Sequence, residues 1–180
     1  MIKSIGQLFF LALSCLAIAI LQFSFISSFP GAFNQINIGL IAMVFILFFF
    51  GIKSAILFIF FFGSFMDIFS FQFFSFHLLV LATVSLVVYL ILENWLTNKS
   101  LYSFWVLCLI ASVTYGFISS ILLFVFSGLG GGFSIFSLYF WQSLLYQSLW
   151  LLLVASLFFN IFVSLAKRFK PFFLEKKGVI

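Results

Sequence analysis

Apolar runs of membrane-spanning length recur from one end of this chain to the other, and nothing else in the sequence restricts its fold as much. They fall at residues 5–26, 38–53, 54–68, 77–92, 101–126 and 137–166. About 20 apolar residues suffice to cross the ~30 Å hydrocarbon core as an α-helix. Within lipid every backbone amide and carbonyl must be satisfied by the protein itself, which leaves helices or closed barrels. A barrel needs short alternating strands with a polar lumen face, and these continuous runs do not alternate. Composition agrees, with 66% hydrophobic and 6% charged residues. The expectation is an all-α polytopic membrane protein, residues 1–180 forming one domain of about six transmembrane helices.

Two runs carry an ambiguity. The first, behind Lys3, includes Ala17-Ile18-Ala19, which resembles a signal-peptidase site, yet it continues apolar to Ile26 with further spans behind it. An uncleaved first helix is expected. The second run, Ile38 to Phe50, has 13 residues and reaches only about 20 Å as a helix. Extending it through Lys53, whose stem can snorkel to the interface, brings it closer to spanning. Alternatively, the second and third runs form a short hairpin that does not fully cross, leaving four full spans. Ile68 to Phe76 lacks a helical period: Phe69, Phe71 and Phe73 alternate with Ser70 and Gln72. That pattern predicts an extended or turning segment at the interface.

Basic residues report topology. Lys3, Lys53, Lys99, Lys167, Arg168, Lys170, Lys176 and Lys177 all fall on one side if the N-terminus is inside, and the opposite loops carry no Lys or Arg. Both termini are therefore expected in the cytoplasm. The net charge of +5 is read as this topology signal, with no nucleic-acid partner expected. The basic tail, 167–180, suits an anionic membrane-lipid surface at about 1 kcal/mol per basic residue. Ser27–Asn37 with Pro30-Gly31, Glu93–Ser100 with Trp95, and Ser127–Phe136 with Gly128, Gly130, Gly131 and Gly132 read as loops.

Asp67 and His77 are the only Asp and the only His. A charge at a helix centre costs about 2.5–3.5 kcal/mol on insertion scales, so Asp67 needs a reason. Catalysis is a poor one. An aspartyl protease needs two carboxylates at one site, no G-x-S-x-G surrounds any serine, and metal ligands are too few and too scattered. No phosphate-binding glycine motif exists. Catalytic, metal and cofactor sites are all expected to be none. Cys15 and Cys108 lie in separate apolar runs and read as small core residues. The fifth run presents Cys108, Ser112, Gly116 and Ser120 at intervals of four, with Ala111, Tyr115 and Ser119 beside them. Such small-residue stripes pack helices within a bundle or dock another protein's helix. The sixth run carries Gln142 and Tyr146, with Ser143 and Gln147 on the adjacent row.

The stretch from Gly51 to Phe117 resembles the MreD family of rod shape-determining membrane proteins. The shared pattern is a glycine-rich apolar helix ending in Asp, a serine turn, a Gly-x-His and a helix closing on an apolar-Tyr pair. Here it reads Gly63-Ser64-Phe65-Met66-Asp67, then Ser70, then Ser75-Phe76-His77, then Val88-Tyr89, with Asn98-Lys99-Ser100-Leu101 opening the next span. Ser75 departs from the pattern, standing where the family carries glycine. The resemblance implies a non-enzymatic partner protein of the bacterial cytoplasmic membrane. It would bind an MreC-like bitopic protein and act with RodA-like and class B transpeptidase enzymes and MreB filaments in peptidoglycan synthesis and cell shape. It also implies a fold like the substrate-binding subunits of energy-coupling factor vitamin transporters, with Gly63, Asp67, Ser70, His77 and Tyr89 as structural or partner-binding residues. A transporter subunit of that kind is the rival reading. Its first helix would carry alanines spaced by four, whereas Ala12, Ala17 and Ala19 break that spacing and only Cys15 and Ala19 keep it.

Overall fold

The computed structural model describes residues 2–26, 28, 36–70, 75–95, 101–126 and 137–173, with side chains from 10 to 157 within those ranges. The described residues are helical almost throughout, with no strand among them. Helix α1 spans Ile2–Ile20 and continues as a π-helical turn, Leu21–Ile26. Then follow α2 (Ile38–Phe50), α3 (Ile52–Ser70), α4 (Phe76–Asn94), α5 (Leu101–Phe126) and α6 (Leu138–Phe173). The glycine-rich loop, Pro30-Gly31, Gln72, Lys99 and the side chains of the basic tail lie outside the described residues.

Among the described residues four helices are long and apolar enough to cross a membrane: α3, α4, α5 and the Leu138–Leu157 part of α6. Phe10–Ile26 and α2 are shorter. The boundary between the second and third runs differs from the expected one at Lys53. The break is Gly51, and Lys53 is already in the first turn of α3. Gly51 has φ 83 and ψ 179, a region essentially reserved for glycine because a Cβ clashes there. A single residue thus turns α2 back along α3. Gly39, near the far end of α2, faces the Phe62 ring of α3, as an antiparallel hairpin requires.

Of the stretch expected to be extended or turning, residues 71–74 lie outside the described residues, and both of its ends are helical. Ile68, Phe69 and Ser70 form the last turn of α3, and Phe76 opens α4. In a bilayer the outward face is as apolar as the inward one, so period loses its meaning at these positions. At the C-terminal end the helix runs past Lys167 to Phe173, so α6 carries the start of the basic tail as backbone helix.

Helix α2 is the centre of the bundle. Leu40, Met43, Val44 and Leu47 are fully buried, in keeping with the tendency of apolar stretches of 10–14 residues to form buried core helices. It packs against α3, α4, α5 and α6 and touches α1. The remaining helices follow round it in the order α1, α3, α4, α5, α6, each against the next. Their outward faces carry Phe10, Leu13, Ile56, Phe60, Leu86 and Leu149, all strongly exposed. Such a continuous apolar rim suits lipid and not water.

Candidate functional site

Helix α4 begins with four backbone N–H groups that no residue of its own can satisfy. Its N-cap, Ser75, makes no side-chain cap bond. The carboxylate of Asp67, at the end of α3, does so instead. The His77 amide donates to Asp67 Oδ1 at 2.6 Å, and the Leu78 amide donates to Oδ2 at 3.4 Å. His77 Nδ1 lies 3.0 Å from the same Oδ1, which fixes the Nδ1–H tautomer as the donor. Ser70 Oγ stands 3.4 Å from that nitrogen. Asp67 and His77 are both buried.

The electrostatics are favourable at one helix and unfavourable at the other. A carboxylate near the C-terminus of α3 meets the negative end of that helix, but here it also meets the positive end of α4. The two amides and the imidazole then stabilise the charge directly. An acidic residue inside an apolar run thus has a structural cause: it is a cap supplied by the neighbouring helix.

Gly63 brings the cap within reach. It sits one turn before Asp67, and a Cβ built on it would lie 2.9 Å from Leu78 Cα. Only glycine allows the two backbones so close, and only at that separation does a short Asp side chain reach the first amides of α4. Ser75 has φ 70, a left-handed conformation that costs a non-glycine residue about 1–2 kcal/mol. Ser75→Gly is therefore expected to raise the melting temperature in mild detergent by about 2–4 °C per kcal/mol recovered. No gain, or a loss, would show that the serine side chain itself is needed.

Two further polar anchors, absent from the sequence-level candidates, occupy the same end of the bundle. Gln22, in the π-helical turn, donates from Nε2 to the Ile36 carbonyl at 2.7 Å. Its Oε1 accepts from the Ile38 amide at 2.9 Å. One side chain thus pins the end of the first helix to the start of the central one. Asn37 Oδ1 caps α2 by accepting from the Leu40 amide at 3.0 Å, and the Asn37 side chain lies beside Tyr115 of α5. An Asn immediately ahead of an apolar run is the N-cap signal that could have revealed this. Gln22, Asn37, Asp67, Ser70, His77 and Tyr115 therefore form a polar layer at one end, with Gln22 pinning the first helix to α2 and Asp67 joining α3 to α4.

Tyr89 is not part of it. Twelve residues beyond His77 on α4, about 18 Å along the axis, its hydroxyl lies beside Glu93 one turn on. The fifth-helix stripe is turned inward: Cys108 and Ser112 are fully buried and Ser120 is buried. Gly116 faces Leu144 and Phe140 of α6, its would-be Cβ 3.3 Å from Leu144 Cδ1. The stripe brings α5 onto its neighbours and is not free to dock another protein.

Among the described residues no three His, Cys, Asp or Glu side chains converge where a metal could sit. Both oxygens of Asp67 already accept hydrogen bonds from α4. The arrangement can hold helices at a fixed distance and angle. No family model, no curated protein and no solved structure matches the chain.

Proposed function

We propose that this chain is a non-enzymatic membrane scaffold of the bacterial cell-elongation machinery, similar to the MreD family. In this reading six helices enter the cytoplasmic membrane, with α1 and α2 partnering the four longer ones, and both termini face the cytoplasm. The polar layer then lies at the outer face and Lys53 at the inner one. The scaffold binds an MreC-like single-pass protein and supports peptidoglycan synthesis by RodA-like and class B transpeptidase partners along MreB filaments. Its fold is of the kind seen in substrate-binding subunits of energy-coupling factor transporters.

One observation carries the reading. Four of the residues that make the resemblance, Gly63, Asp67, Ser70 and His77, converge on a single joint although up to 14 positions separate them. Ser75, where the family carries glycine, adopts the left-handed backbone that glycine favours. The Asp67 carboxylate, the His77 and Leu78 amides and the imidazole Nδ1 are all engaged in joining helices, as a scaffold needs.

Depletion in the native cell tests this. The expected result is loss of rod shape, with fluorescent D-amino acid incorporation falling along the lateral wall while growth continues in any vitamin supply. Normal shape combined with a growth defect rescued by a vitamin would overturn the reading in favour of a transporter subunit.

A further inference from the structure

One polar atom of the α3–α4 joint is not used by the joint itself. The Asp67 carboxylate accepts from the His77 amide, the Leu78 amide and the imidazole Nδ1–H. With the proton on Nδ1, the other ring nitrogen, Nε2, carries a lone pair and can only accept. It lies across the ring from the carboxylate, and no described residue donates to it. The imidazole side chain is 11% exposed, against 3% for that of Asp67. Among the described residues Trp105 Nε1 is the side-chain polar atom that is both sealed from the surface and unbonded. Nε2 is not so sealed.

Its depth is that of lipid headgroups. His77 is the second residue of α4, and Asp67 lies three residues before the end of α3, each within about 5 Å of a helix end. Both helices have 19 residues, about 28 Å along the axis. That length matches the ~30 Å hydrocarbon core and sets these ends at its boundary.

Charge says what the atom receives. Segments 27–37, 71–75 and 127–137, which link helices at this end, contain no Lys or Arg, and Asp67 is the only charged residue between Lys53 and Glu93. The joint therefore holds a negative charge with no basic residue of the chain in the segments around it, and it shows an acceptor beside that charge. A cation that carries N–H groups satisfies both. The opening is one edge of a ring, enough for an ammonium group, whereas a protein interface needs about 1,000 Å².

We propose that the joint is a lipid headgroup site, in which His77 Nε2 accepts a hydrogen bond from the primary ammonium of an ethanolamine phospholipid. The Asp67 carboxylate behind the ring supplies the countercharge. Ammonium, imidazole and carboxylate then form one hydrogen-bonded line, so the lipid supports the same joint that Asp67 caps. The site goes beyond the scaffold reading and does not depend on it.

His77 is the only histidine, so isotope-labelled histidine in the full chain gives the nitrogen NMR spectrum of one imidazole. The chain is reconstituted in vesicles of phosphatidylcholine alone, with an equal part of phosphatidylethanolamine, or with an equal part of its N,N-dimethyl derivative, which keeps one N–H. Relative to the first, the Nε2 resonance is expected to move upfield in the second and third, while Nδ1 stays protonated in all. Native mass spectrometry of the wild type is expected to show phosphatidylethanolamine retained about three- to tenfold over phosphatidylcholine. His77→Asn keeps a donor for Asp67 at the δ position and removes the ε acceptor, so retention there should fall to parity. An Nε2 resonance identical in all three vesicles, or undiminished retention in His77→Asn, would overturn the site. A shift found in native membranes but in none of the vesicles would overturn it as well, and assign the acceptor to a protein. None of these results alters recovery of a single-pass partner, so the two readings fail separately.

Discussion

Asp67→Leu is expected to be the most damaging single substitution in this chain. It removes the acceptor of the His77 amide at 2.6 Å, the Leu78 amide at 3.4 Å and the imidazole Nδ1–H at 3.0 Å. Each orphaned buried donor costs about 1–3 kcal/mol, and breaking a buried charged pair costs about 3–5 kcal/mol. The donors are not independent, so a total of about 3–5 kcal/mol is the sensible scale. Against the 5–15 kcal/mol typical of a folded domain that is a large share. The melting temperature in mild detergent should fall by about 10 °C or more, and the yield of monodisperse protein with it. Asp67→Asn keeps one acceptor oxygen and loses the charge, so about half that loss is expected. A leucine variant that melts like wild type would show that the cap contributes little, and that capping is not why an acidic residue stands in this apolar run.

The second large effect is expected at Gly63. A Cβ there would meet Leu78 Cα at 2.9 Å and Leu78 Cβ at 3.1 Å. Backbone cannot swing aside as a ring can, so α3 and α4 must separate by several tenths of an ångström. Overpacking alone costs about 1–3 kcal/mol. The separation also lengthens the Asp67 bonds one turn away, so Gly63→Val should approach the damage of Asp67→Leu. The pair should be strongly non-additive, because both act on one joint. A double-mutant cycle of melting temperatures measures this. Full additivity would mean that the close approach and the cap are separate features.

By contrast, Gly39→Ala meets only the far end of the Phe62 ring. That ring is itself buried, so the cost depends on how far it can turn.

Much of this is legible in the residues, and the failures share one cause. Apolar runs of span length and the isolation of Asp67 and His77 follow from the sequence because polarity is rare and informative in lipid. Helix α5, expected at 101–126, is found at Leu101–Phe126. The boundary at Gly51 and the helical turn through Ser70 are misplaced by the sequence pattern because core and lipid faces are equally apolar, which erases the periodicity that marks helix ends in water. For the same reason α2 is not recognisable as the central helix. Much of its burial comes from α4, α5 and α6, which are distant in sequence. The cap is half visible: a lone carboxylate ten residues before a lone imidazole suggests a pairing. That its main partners are two backbone amides cannot be read from side-chain identities. Gln22 escapes notice because its partners are backbone atoms of the segment beginning α2.

The central claim is that this protein works by holding helices, its own and a partner's, in place. The most direct test is a mild-detergent pull-down of the tagged full-length chain from native membranes, with co-purifying proteins identified by mass spectrometry. Recovery of a single-pass MreC-like protein together with wall-synthesis enzymes, reduced in the Asp67→Leu variant, is the result predicted. Recovery of two ATPases and a coupling subunit in their place would contradict it and make the chain a component of a vitamin transporter.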